Sequence, residues 1–212
     1  MAVVTISRQY GAGGLRVAPL VAAALDFRLA DRELVEEAAR RLGVDPEVAQ
    51  GWDERAPALI EELGLALAAG TPVVAGGISQ FDPRSRSDTE LAEATRRVIV
   101  SLAQSGRYVI LGRGGQAALR DRSDAVHLWL VGDLRDRAQG IMASQGVDEK
   151  EALARCERVD AERTGYVSKY YRTDLRHPDL YHAILNTSRL GVEEAARVAV
   201  GICRARFGAG AG

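Results

Sequence analysis

The stretch Val3-Val4-Thr5-Ile6-Ser7-Arg8-Gln9-Tyr10-Gly11-Ala12-Gly13-Gly14-Leu15-Arg16-Val17 decides how this chain is read. Its β-branched start reads as a buried strand and its glycines as a turn. Val17, Leu20, Val21, Ala24 and Leu25 then recur at helical spacing and predict one apolar helix face. A glycine loop between a strand and a helix lets backbone N–H groups converge on an anion, and the helix N-terminus adds a favourable dipole. Gly11, Gly13 and Gly14 are placed for that, although a tight turn with no ligand would use the same glycines.

Outward from this unit, strand and helix patterns alternate. A short Phe27-Arg28-Leu29 strand leads to Asp31, an N-cap for a helix carrying Leu34, Val35, Ala38, Ala39 and Leu42. From 45 to 87 the pattern weakens under Pro46, Pro57, Pro72 and Pro83, which marks an insertion or mobile sub-domain. Leu91, Ala94, Val98, Ile99 and Leu102 share a helical face before the apolar run Tyr108-Val109-Ile110-Leu111, expected to be a central strand covered on both faces. Gly112-Arg113-Gly114-Gly115 makes a second glycine loop, Ala125 to Val131 another buried strand, and Leu134 to Ser144 the helix behind it. A charged helix over 148–166, an irregular Tyr/Arg segment, a strand over 182–185 and a helix over 192–207 complete one domain, with a flexible tail over 208–212. Such alternation predicts an α/β fold with a mostly parallel sheet, helices on both faces, and ligands beyond the carboxyl ends of the strands.

The 212 residues carry 28 basic and 29 acidic side chains, a net charge of −1 that argues against gripping a nucleic-acid backbone with bulk charge. The basic residues are nearly all arginine, Lys150 and Lys169 being the only lysines. Cys156 and Cys203 have neither metal-site nor disulfide spacing, which fits a reducing compartment. No basic leader with an apolar stretch opens the chain, and glycines and a proline interrupt the uncharged segment from Leu63 to Phe81, so neither export nor membrane spanning is expected. The cytoplasm is the expected location.

The loop departs from the standard phosphate-loop pattern G-x-x-x-x-G-K-[ST]. Alignment on Gly13 puts Arg8 at the first glycine, Gly14 at the lysine and Leu15 at the hydroxyl residue. Arg8 or Arg16 is a substitute cation, either of which a solvated helix face would also explain. Asp31 is a Mg²⁺ or sugar contact as readily as a helix cap. Arg155, Arg158, Asp160 and Arg163 form either a set of arginines closing over phosphates or a solvated face of internal pairs. His127 reads as a core histidine, His177 and His182 lack metal spacing, and Trp52 and Trp129 read as packing residues.

Four blocks resemble the cytidylate kinase-like family, a divergent branch of the nucleoside monophosphate kinases. They are Thr5-Ile6-Ser7-Arg8-Gln9-Tyr10-Gly11-Ala12-Gly13-Gly14, Asp31-Arg32-Glu33-Leu34-Val35-Glu36-Glu37-Ala38-Ala39, Val109-Ile110-Leu111-Gly112-Arg113-Gly114 and Asn186-Thr187-Ser188-Arg189-Leu190-Gly191-Val192-Glu193-Glu194-Ala195. The resemblance implies a three-layer P-loop kinase fold with a helical lid over 148–175. It implies transfer of the γ-phosphoryl group of ATP, with Mg²⁺, to a pyrimidine nucleoside monophosphate such as CMP or dCMP. On that basis Ser7, Gly11, Ala12, Gly13, Gly14, Leu15 and Arg16 would hold donor phosphates, and Arg8, Arg158 and Arg163 would neutralise the transferring group. Asp31, Arg113 and Asp160 would hold the acceptor, while the metal ligands stay unassigned. Cytidylate kinases tend to carry an aspartate where this chain has Gly114. A weakly active or non-catalytic nucleotide sensor, or a kinase of another small molecule, would share much of this pattern.

Overall fold

The computed structural model describes residues 2–31 and 88–208. The helix expected after Asp31, the insertion over 45–87, Trp52, the Leu63–Phe81 segment and residues 209–212 lie outside the described residues. Five strands form one sheet: β1 Val3–Arg8, β2 Arg28–Ala30, β3 Tyr108–Leu111, β4 Ala125–Val131 and β5 Ala183–Asn186. Their order is β2-β3-β1-β4-β5, and every described pairing is parallel. β1 therefore holds the middle of the sheet. The apolar run of β3 lies one place from the edge and is still buried along its whole length, because helices cover both of its faces.

One face of the sheet carries Val4, Ile6, Val109, Leu111, Val126, Leu128 and Leu130, packed against α1 (Gly14–Leu25) and the C-terminal helix Val192–Phe207. Within α1 the buried stripe is Val17, Ala18, Val21, Ala22 and Leu25, while Leu20 and Ala24 face outward. The predicted face is thus rotated by about one position. A stripe at i, i+1, i+4, i+5 and i+8 is the one that small alanines let approach the sheet closely. The helix ends at Asp26, in the left-handed conformation, whose N–H returns to the carbonyls of α1.

The opposite face buries Val98, Ile99, Leu102 and Ala103 of α2 (Asp88–Ser105) on Val3, Ile110 and Ala125. Toward the carboxyl ends of the strands that face turns polar. Thr5 pairs in register with His127, and Ser7 with Trp129. The Thr5 hydroxyl lies 2.8 Å from His127 Nδ1, and the Trp129 ring stacks on Tyr181. His127 is thus the core histidine its apolar strand predicts, and Trp129 a packing residue. A short helix α3 (Gly115–Ala118), not anticipated from sequence, follows the second glycine loop.

Helix α4 (Leu134–Gln145) and the long α5 (Glu149–Tyr171) pack together around Ala138, Ile141, Ala152 and Cys156. α5 runs on through Lys169, Tyr170 and Tyr171, one turn further than expected, and the irregular segment begins only at Arg172. A short α6 (Thr187–Leu190) joins β5 to α7 (Val192–Phe207), with Asn186 capping it by accepting from the N–H groups of Ser188 and Arg189. Cys156 and Cys203 are free and buried, and burial pushes both thiols up, Cys203 to about 12, so neither is a nucleophile at neutral pH. Among the described residues, no helix is long and apolar enough to cross a membrane.

Burial, and then the neighbouring His182, hold the His127 imidazole down to about 4. The folded value lies below the unfolded one of about 6.5, so its contribution is whole above pH 6.5 and is lost as pH falls from there toward 4. The full loss amounts to roughly 3 kcal/mol. Urea unfolding at pH 7 and pH 4.5 is expected to show this slope in the parent chain and a shallower one in His127→Gln. Equal slopes would mean that His127 is not held neutral by the fold.

Candidate active site

The first glycine loop leaves the middle strand and is pinned on several sides. Gln9 N–H donates to the Leu130 carbonyl at 2.9 Å, and Gln9 Oε1 accepts from Gly132 N–H at 3.0 Å. The Thr187 hydroxyl sits between the carbonyls of Ala12 (3.2 Å) and Val131 (3.1 Å), tying the loop to α6. α1 opens at Gly13 without a side-chain cap, and no acceptor among the described residues takes the N–H groups of Gly11, Gly13, Gly14 or Leu15. Orphan donors at a helix N-terminus, in a loop held from outside, are the makings of an anion cradle.

The Tyr10 N–H is engaged, by Asp160 of α5 at 2.7 Å. The other oxygen of Asp160 accepts from Arg137 at 2.8 Å, and Arg163 stands 4.0 Å from the carboxylate. Arg137 is only 6% exposed, and it also donates to the carbonyls of Tyr10 at 2.8 Å and Gly132 at 3.1 Å. One buried guanidinium therefore joins the loop, the end of β4 and the long helix. Asp160 faces the loop through this pair and does not line the neighbouring cleft.

Arg8 explains the glycine that stands where the usual pattern has lysine. Its stem crosses Gly14 so closely that a Cβ there would lie 2.8 Å from Arg8 Cγ. The guanidinium then extends over Gly112 of the second glycine loop. A cation thus occupies the ground between the two loops, although it arises from the strand end and not from the helix.

Beside the loop is a cleft of about 220 Å³, walled by Ser7 and Arg8 of β1, by Gly112 to Gly114, by Gln116 of α3, and by α5 through Val159, Glu162, Arg163, Tyr166 and Val167. Among the described residues that line it are three arginines, Arg8, Arg113 and Arg163, and one carboxylate, Glu162, a set of side chains able to meet an anion. The Arg113 guanidinium lies 4.3 Å from the centre of the Tyr166 ring, which orients it by cation–π attraction. Arg163 donates to the Arg8 carbonyl at 2.9 Å and covers the Tyr10 ring, so α5 closes on the first loop through Arg163 and on the second through Tyr166.

Arg113 itself has φ 56, an uncommon conformation for a side chain-bearing residue, and the Tyr171 hydroxyl donates to its carbonyl at 3.1 Å. Burial, with Tyr166 alongside, pushes the Tyr171 phenol up, so it remains a donor throughout the physiological range. Gly114 has φ 74, and a Cβ on it would fall 2.4 Å from the Tyr171 ring. Any side chain at 114, an aspartate included, would therefore meet the Tyr171 ring. Gly114→Asp is expected to destabilise the fold by about 3 kcal/mol or more, combining overpacking with backbone strain. Chemical denaturation would measure it, and Tyr171→Ala in the same chain should restore the steric share alone.

Other residues singled out in the sequence fall elsewhere. Arg16 pairs with Glu193 at 2.8 Å, and its side chain is 69% exposed. Leu15, at the hydroxyl position of the pattern, is 76% exposed. Arg158 lies on the solvent side of α5, 3.9 Å from Glu162, outside the cleft lining. Asp31 follows the end of β2 and does not line the cleft either. Arg137 and Gln116 were not singled out by sequence, and Thr187 stood only within the last of the resembling blocks. For Arg137 a signal existed: it stands four residues before Ile141 and beside Ala138, on the buried face of α4.

The comparisons with known proteins agree with this geometry. The model of the cytidylate kinase-like family matches residues 3–189. No curated protein sequence matches the chain. Among solved structures, an uncharacterized protein from Eubacterium ventriosum superposes with a TM-score of 0.70 at 20% identity, over 96% of this chain and 98% of that one. A shikimate kinase from Bacteroides thetaiotaomicron gives 0.52 at 12% identity, over 95% of this chain and 97% of that one. At these identities the likeness is one of fold, the parallel sheet and flanking helices of P-loop kinases.

Proposed function

Because this chain belongs to the cytidylate kinase-like family, we propose that it transfers the γ-phosphoryl group of ATP to a pyrimidine nucleoside monophosphate, CMP or dCMP, bound in the arginine-walled cleft. The observation that carries the reading is the adjacency of an anion cradle at Gly11 to Gly14 and a cationic cleft, with Arg8 between them. Phosphoryl transfer requires little covalent chemistry from a protein; it requires two phosphates in line and cations for the charge that spreads between them.

In this mechanism the N–H groups of the loop hold the donor phosphates. Arg113, oriented by Tyr166, holds the acceptor phosphate. Arg8 and Arg163 neutralise the group in transit, and α5 serves as the lid that excludes water. Arg158 joins them only through a further movement of α5, since its charge faces solvent beside Glu162. Asp160 acts by holding the loop, and Asp31 follows the carboxyl end of β2, outside the cleft lining. ATP would bring Mg²⁺ on its phosphates. The described residues contain no cluster of three ligating side chains, and Leu15 stands where a hydroxyl would meet the ion, so the side chains of the loop do not fit a metal of their own. The net charge and the lack of a spanning helix among the described residues suit a protein working on small nucleotides in the cytoplasm.

A coupled ADP-release screen over the common nucleoside monophosphates, with ATP and Mg²⁺, tests the proposal. Turnover with CMP and dCMP is expected; ATP binding without turnover on any of them would leave a sensor or a kinase of another small anion. In the same assay, Arg113→Ala should raise the KM for the monophosphate by about tenfold or more, the worth of a charge-assisted contact, and leave the KM for ATP near its parent value. Equal changes in both would make Arg113 a structural residue.

A further inference from the structure

Gln116 has a feature that the roles above do not use. Its side chain is 1% exposed, at the start of α3, and it lines the cleft together with Arg8, Arg113 and Arg163. The Ser7 hydroxyl donates to Gln116 Oε1 at 2.8 Å, which fixes the carboxamide plane against the end of the middle strand. The other half of the amide, Nε2, is buried and has no acceptor among the described residues. A donor left in this state costs about 1–3 kcal/mol, and folded proteins rarely keep one without a use for it.

An amide N–H₂ only donates, so whatever satisfies it must present a lone pair. The arginines of the cleft take the negative end of a ligand, while Val159, Val167 and the Tyr166 ring offer an apolar wall to an uncharged, flat body. We infer that Gln116 reads the uncharged part of the acceptor substrate, donating from Nε2 to a carbonyl oxygen or ring nitrogen of its base, with Ser7 as the residue that positions the amide. This rests on the cleft being the acceptor side of the proposed kinase. It adds a selection step to that reading: an anion without an acceptor atom at that point leaves the amide unpaired, and the penalty falls on the wrong ligand.

The test compares binding of CMP with that of ribose 5-phosphate, which keeps the phosphate and sugar and lacks the base. Calorimetry on the full chain is expected to show CMP bound about tenfold or more tightly than ribose 5-phosphate, in line with one buried hydrogen bond. In Gln116→Leu that preference should vanish, the two ligands binding alike. Gln116→Glu keeps the volume and an oxygen beside Ser7 but replaces the donor with an acceptor. It should lose the preference as well, and it covers the case in which the leucine variant folds poorly. A preference unchanged in either folded variant, or a parent chain that binds CMP no better than ribose 5-phosphate or binds neither, overturns the inference. ADP release is read separately. CMP bound through Gln116 without ATP-dependent turnover would defeat the kinase reading alone, and turnover on CMP with selectivity untouched by Gln116 would defeat this inference alone.

Discussion

Single-turnover phosphoryl transfer is expected to fall by about two orders of magnitude in Arg8→Ala, with ATP affinity held within about threefold, because a cation aimed at a transferring group acts chiefly in the transition state. The loop N–H groups of Gly11 to Leu15 are untouched by the change and continue to hold ground-state phosphates. What is removed is the guanidinium that runs across Gly14 and over Gly112, on the ground between the two glycine loops. Arg8→Lys should restore part of the rate, since charge returns without the planar fork. Arg16→Ala is the matched control, its side chain being paired with Glu193 on the surface, and it should turn over like the parent. A parent-like rate in Arg8→Ala would shift the neutralising charge to Arg163 and Arg113.

The largest effect on stability is expected from Arg137→Met, a loss of about 3–5 kcal/mol, the range for breaking a buried charge pair from one side. Asp160 would keep its bond from Tyr10 N–H but lose its close cation, and the carbonyls of Tyr10 and Gly132 would lose a donor. Asp160→Asn should lose less, because its side-chain oxygen can still accept from Tyr10 while the charge pair is gone. Urea unfolding with and without saturating ATP measures both, and the Arg137 variant should also bind ATP more weakly, as its loop is no longer held. A loss below about 1 kcal/mol would place the pair among exposed ion pairs, which contribute little.

Much of this architecture is written in short-range pattern. The bounds of β3, β4 and α7 follow from runs of apolar residues that end where glycines begin, and the two loops at strand ends follow from the glycines themselves. Periodicity alone does not set the buried face of α1, because Leu20 and Ala24 are as apolar as the residues that pack, and only the neighbouring helix decides between them. The same limit hides the contacts of the site. In Leu-Arg-Asp-Arg-Ala-Gln, Arg137 resembles the solvated charges on either side, and its partners come from Tyr10, Gly132 and Asp160. Gln116 is one polar letter in a short apolar helix, and its meaning depends on Ser7, more than a hundred residues earlier. The constraint on Gly114, its positive φ and the Tyr171 ring against it, likewise comes from structure and not from neighbouring sequence.

The Thr187 clamp has a consequence for how the protein is made. The anion cradle is encoded by residues 3–15, yet the groups that fix its shape come later in the chain: Leu130 and Gly132, then Arg137, then Asp160, and last Thr187. The middle strand likewise has no sheet partner until β3 and β4 have been synthesised. On the ribosome β1 therefore emerges before either of its partners as an apolar strand with both edges open, the kind of species that associates with its neighbours or recruits a chaperone. Nucleotide binding should switch on sharply along a series of stalled nascent chains, only after Thr187 has cleared the exit, however early the loop itself emerged.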